Sequence, residues 1–184
     1  DLSENGLETV PRSFGAGFRS VERIDFSLNR IHSFAMSKEA RFSRMGVTLR
    51  LGFNRLTAVA PSLASLQTSD LKLQLMSNQL NDTTGLCDLL RLSIVDLADN
   101  NLGTLPECVG RLHGVHDFNL GGNGLSSLPA SFVNLTRVSE LTLDHNEFEE
   151  MPDLRNMRSL STLSVRNNRL WSYPEWMCRL PTLF

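Results

Sequence analysis

Asparagine recurs in this chain at an almost constant interval. Asn5, Asn29, Asn54, Asn78, Asn100, Asn123, Asn146 and Asn168 are separated by 24, 25, 24, 22, 23, 23 and 22 residues. A period in the twenties outranks any local propensity, because it describes units that each touch only their neighbours, a solenoid and not a closed globule. Apolar residues stand three and five places before an asparagine, as Leu120 and Phe118 stand before Asn123. That alternation is the signature of a short strand with one buried face. One such strand cannot bury its apolar side alone. Like strands must therefore lie side by side in a parallel sheet, their inward side chains forming one continuous core.

The asparagine ends each strand where the backbone turns toward the core. Its amide offers both donors and an acceptor. Buried peptide groups left unpaired cost roughly 1–3 kcal/mol each, so these eight side chains are expected to satisfy the turns. Proline stands six residues after five of them, at Pro11, Pro106, Pro129, Pro152 and Pro174. With φ fixed and no N–H, it suits an extended return and not a sheet interior. Apolar pairs come next, Val109 with Leu112, Phe132 with Leu135 and Met177 with Leu180, and predict an outer wall of short helical or irregular segments.

Val115, Phe118, Leu120, Asn123 and Leu125 fill the pattern Leu-x-x-Leu-x-Leu-x-x-Asn-x-Leu. Together with Leu-Pro-Glu-Cys-Val-Gly-Arg-Leu at 105–112 and Leu-Pro-Ala-Ser-Phe-Val-Asn-Leu at 128–135, it resembles the leucine-rich repeat. The likeness is to the class of about 23 residues found in intracellular scaffold and signalling proteins. The resemblance implies an α/β fold: a right-handed solenoid bent into a horseshoe arc, short parallel strands on the concave face, and short helical or irregular segments on the convex face. It also implies protein binding on the curved surface.

With 184 residues, 41% of them apolar, the chain can build a sizeable core, and the repeats leave no room for a second domain. One domain over 1–184 is expected, with about eight repeats and both ends cut within a repeat. Leu2, Asn5 and Leu7 are the second half of one unit, and Leu180 to Phe184 begin another. Flanking repeats or domains of the same parent chain are expected on that ground. A formal charge of −2 favours neither nucleic acid nor an anionic membrane. No apolar run has the length of about 20 residues that a membrane span needs. Cys87, Cys108 and Cys178 are scattered and odd in number, and three lone thiols point to a reducing, cytoplasmic setting. Two glycosylation sequons, Asn81-Asp-Thr and Asn134-Leu-Thr, are as many as chance supplies and do not argue for secretion.

Three stretches depart from the repeat. Ala35 to Met45 replaces the proline-containing return with helix-compatible residues, and Ser37 could cap a helical turn there. This reads as a convex bulge or as a dedicated partner contact. Thr83 to Leu90 also suggests a short helix. Trp171, Tyr173 and Trp176, which are both tryptophans and the sole tyrosine, read as a terminal core wedge or as anchors against a neighbouring segment C-terminal to Phe184.

No catalytic, cofactor or metal constellation stands. His113 and His116 need not converge and lack a third ligand. Gly121-Gly-Asn-Gly124 lacks the lysine of a phosphate loop and is expected to leave a shallow dip on the inner face. Cys87 beside Asp88 reads as a small buried apolar residue. Strand residues that alternate away from the core define the binding face. Its second to fourth units give a basic band of Arg23, Arg30, Arg50, Arg55 and Lys72, with Asp25 among them and an apolar group of Leu28, Phe53 and Met76. The next three give an acidic band of Asp96, Asp99, Asp117, Glu140, Asp144 and Glu147 with His145, and the eighth a basic edge of Arg166 and Arg169. The function expected is a non-enzymatic scaffold or recognition module that binds another protein on this face. The alternatives are a regulatory segment of a kinase, phosphatase, cyclase or ubiquitin ligase, or an extracellular receptor ectodomain.

Overall fold

The computed structural model describes residues 1–179 apart from Arg41, Arg44 and Gln67, with the side chains of Ser65, Cys178 and Arg179 also left aside. The start of a further unit at 180–184 lies outside the described residues. Among the described residues seven strands form one parallel sheet in consecutive order. They are β1 (Arg23–Asp25), β2 (Val47–Arg50), β3 (Leu71–Gln74), β4 (Leu92–Asp96), β5 (Asp117–Asn119), β6 (Glu140–Thr142) and β7 (Thr162–Ser164). The residue five places before each asparagine pairs with its counterpart in the next unit, from Ile24 with Leu49 to Leu141 with Leu163. Register thus tracks the asparagine interval. Sliding any strand by one residue would turn its buried row outward.

The corner after each strand has a fixed build. The residue before the asparagine takes the left-handed conformation in every unit, with φ between 53° and 58° at Glu4, Leu28, Phe53, Ser77, Asp99, His145 and Asn167, and 65° at Gly122. For a side chain with a Cβ that conformation costs about 1 kcal/mol. The asparagine offsets the cost. Asn146 Nδ2 donates to Leu143 O of its own strand at 3.0 Å and to Leu120 O of the unit before at 3.0 Å, while its Oδ1 accepts Leu125 N at 2.9 Å. Asn29, Asn54, Asn78, Asn100 and Asn168 repeat the arrangement. Asn123 makes the same donor bonds, but its buried Oδ1 has no partner. Asn5 departs further. It is exposed and bonds only to Leu2 and Ser3 of its own corner.

On the far side of the core the return is built, among the described residues, from five 3₁₀ helices, Pro61–Ser65, Thr84–Asp88, Glu107–Arg111, Ala130–Asn134 and Glu175–Arg179. Those at 107–111 and 130–134 begin immediately after Pro106 and Pro129, whose extended ψ feeds the turn. Adjacent returns approach so closely that a Cβ on Gly85 would collide with the Val59 carbonyl. Among the described residues between Ala35 and Met45 the expected helical turn is not formed. Ser37 Oγ accepts Glu39 N at 3.2 Å in a simple turn instead. Aromatic packing decides this, because the space is filled by Phe14, Phe18, Phe26, Phe34 and Phe42, whose rings meet edge to face at 5.1–6.2 Å.

The terminal wedge also needs correction. Trp176 packs against the core, but Trp171 is 71% and Tyr173 65% exposed. Asn146→Ala should lower unfolding stability by about 2–3 kcal/mol, since it orphans several buried backbone groups. Asn5→Ala should cost well under half of that. Equal urea midpoints for the two variants would remove the corner's role.

Candidate functional site

The sheet's outer face is made of side chains that the strand pleat turns away from the core. Two rows run across it. The residues six places before each asparagine are Arg23, Thr48, Lys72, Ile94, Asp117, Glu140 and Thr162, and the pairing sets them side by side. Two residues further on runs the second row, from Asp25 through Arg50, Gln74 and Asp96 to Ser164. The left-handed corner residues form a third row along the edge.

The basic band is narrower than the sequence alone suggests. Asp25 is buried, and its Oδ2 lies 3.2 Å from Arg23 and 3.3 Å from Arg50. Burial alone would raise this carboxyl, but hydrogen bonds from Ser27, Arg23 and Arg50 hold it below the ordinary range. Arg50 is therefore half-buried and committed to Asp25. Arg30 and Arg55 are exposed and Lys72 half-buried, and none of the three has an ion-pair partner among the described residues. Beside them Leu28 and Phe53 occupy equivalent corners of neighbouring units, 48% and 46% exposed. Met76, half-buried, lies over Gly52, where an added Cβ would come within 3.1 Å of its Cγ.

The centre of the acidic band, Asp96, Asp99, Asp117 and Glu140, has no ion-pair partner among the described residues. Asp96 is pushed up by burial and by the neighbouring Asp117 and Asp99 carboxylates. Asp117 is pushed up by burial and by Glu140, against a smaller opposing effect of His116. Toward the eighth unit the charges close on one another. Asp144 accepts Arg166 N at 2.7 Å, His145 Nε2 lies 3.1 Å from Asn167 Nδ2, and Glu147 lies 3.5 Å from Arg169. The second basic edge is thus reduced to the exposed Arg166 side chain.

Outside this face the other candidates resolve simply. His113 Nδ1 lies 3.4 Å from the Asn134 carbonyl, and no group of three potential ligands is arranged for a metal among the described residues. Gly122 is a corner residue where a Cβ would meet Asp99 Oδ1. The lone-thiol reading is overturned for two cysteines, because Cys87 and Cys108 form a disulfide that joins adjacent 3₁₀ returns. Their separation of 21 residues lies within one of the local repeat of 22, which is the signal that could have found the pair.

Stacked parallel strands, asparagine corners and 3₁₀ returns define a solenoid whose regular sheet is available as a recognition surface. Residues 90–148 match the leucine rich repeat family model. The chain is 31% identical over 188 residues to podocan-like protein 1 of Mus musculus, covering 97% of this chain and 32% of that protein. It is 25% identical over 171 residues to Toll-like receptor 6 of Mus musculus, covering 91% of this chain and 18% of that protein. It therefore spans less than a third of the length of either relative. A solved leucine-rich repeat protein of Leptospira interrogans superposes with a TM-score of 0.70 at 22% identity, covering 100% of this chain and 58% of that one. The chain is a leucine-rich repeat protein.

The acidic band has a pH signature. Asp96 and Asp117 hold protons in the folded state at pH values where the unfolded chain has lost them, so their contribution to stability grows as pH falls from neutral toward the ordinary carboxylate range and is lost as pH rises. Asp96→Asn should therefore raise the unfolding midpoint at pH 7, with the advantage over wild type shrinking toward pH 4. A variant less stable at pH 7 would contradict this.

Proposed function

We propose that the chain is a protein-recognition segment that receives another protein on the outer face of its sheet. The supporting observation is that Leu28 and Phe53, at equivalent corners of neighbouring units, are left about half in water on an otherwise regular face, with the half-buried Met76 in the unit next to Phe53. Apolar side chains that lose water on contact dominate such interfaces. Arg30, Arg55 and Lys72 flank the group, and Asp99, Asp117 and Glu140 lie beyond it. The two bands orient a partner of opposite polarity more than they set its affinity. Leu28→Ala with Phe53→Ala should weaken the partner retained from the native source at least tenfold. Arg55→Glu with Lys72→Glu should slow its association and flatten the salt dependence. Retention of one partner by all of these folded variants at wild-type strength would refute the reading.

A second reading concerns where the segment works. We infer an oxidising compartment, as in a secreted or cell-surface protein, because the cytoplasmic expectation rested on three lone thiols and two of them are bridged. The side chains of Asn81 and Asn134, in the two sequons, are exposed. Closing a loop of this length stabilises a fold by about 3 kcal/mol. Titration of the unfolded, unreduced protein should find Cys87 and Cys108 unreactive, and reduction should release two further thiols per chain. Reaction of both at the outset would return the segment to a reducing setting.

A further inference from the structure

The seventh unit lacks the 3₁₀ return of its neighbours; among the described residues, 153–160 make two simple turns instead. Between the stretch 147–154 that leads into this segment and the stretch 126–133 of the unit before lies a cavity of about 650 Å³. Leu128, Val133 and Met151 are only half-buried along it, and Phe132, Phe148 and Leu154 close its base. Its lip carries Glu149 and Glu150, both exposed and without an ion pair among the described residues. The other charges there are already engaged, Asp153 by Arg155 at 2.7 Å and Glu147 by Arg169.

Beside the lip stands Trp171, whose backbone N–H donates to the Glu149 carbonyl at 3.4 Å. It occupies the third position after its asparagine. That position faces water in all eight units, where it is otherwise Glu8, His32, Thr57, Asn81, Gly103, Ser126 and Glu149. Its exposure is therefore a property of the position and not of the last unit. A large aromatic ring in a row of polar or small residues, next to two uncompensated carboxylates and an apolar cavity, is a binding arrangement with a defined complement. A guanidinium or ammonium group is held by carboxylates and by the face of an indole, and an aliphatic side chain beside it fills the cavity.

We propose that this flank, separate from the sheet face, binds an extended segment of a partner protein in which arginine or lysine lies next to an aliphatic residue. The two lip carboxylates repel an anionic membrane and nucleic acid, which leaves a basic peptide as the occupant that the charge selects. The full chain is presented to a library of random ten-residue peptides, and the enriched peptides are titrated by fluorescence. Enriched peptides carry Arg or Lys within two positions of Leu, Ile, Val or Met, and binding shifts the Trp171 emission. Glu149→Lys with Glu150→Lys weakens them at least tenfold and Trp171→Ala about fivefold, with circular dichroism unchanged. Asp117→Lys with Glu140→Lys on the sheet face leaves them unaffected. No enrichment, enrichment of acidic peptides, or a loss produced only by the sheet-face variant would overturn the proposal.

Discussion

One side chain per unit holds this molecule in register. The left-handed residue that turns each strand off the sheet is disfavoured for any side chain, and the asparagine after it fixes the turn by bonding carbonyls on both sides of a unit boundary. A bond such as Asn54 Nδ2 to Phe26 O, 2.9 Å long and buried, lies between units and not within one. Each unit is therefore folded only against its neighbour. The core depends on the same corners, because they aim Leu49, Leu73, Val95, Phe118 and Leu141 at a single inner row, all of them buried.

The same constraint shapes the proposed binding face. Corner residues are held by backbone geometry whatever their side chain, and at two of these fixed corners Leu28 and Phe53 stand about half in water. Under the proposed reading a partner would meet corner backbones already positioned, and less conformational freedom would be lost on association. The buried Asp25 has a comparable effect on Arg23 and Arg50, fixing two long side chains that would otherwise sweep the surface.

The asparagine interval and the apolar alternation carry strand positions, register and the identity of the outward rows, because these depend on period alone. Features that depend on cross-unit contact do not show in the sequence. The left-handed corners are hidden because their occupants range from Glu4 to Phe53, with a glycine only at Gly122. The stretch 35–45 reads as helical from its composition, yet five phenylalanines drawn from two units decide its path. Arg50 reads as a free cation until Asp25 of the adjacent strand is set beside it. The spacing of Cys87 and Cys108, one short of the local repeat, hints at their pairing, but only the stacking of the two returns brings the sulfurs together.

Amide hydrogen exchange at the corners tests most directly whether asparagine joins one unit to the next. The N–H groups of Ile31, Leu56, Leu80, Leu125 and Phe148 each donate to an asparagine Oδ1 of the next unit, whereas Asn123 Oδ1 accepts none. Exchange of those five should require opening of the solenoid and match the slowest strand amides, while Leu102, the equivalent site facing Asn123, exchanges faster. Corner amides that exchange at the rate of exposed loops would contradict that role for the asparagines.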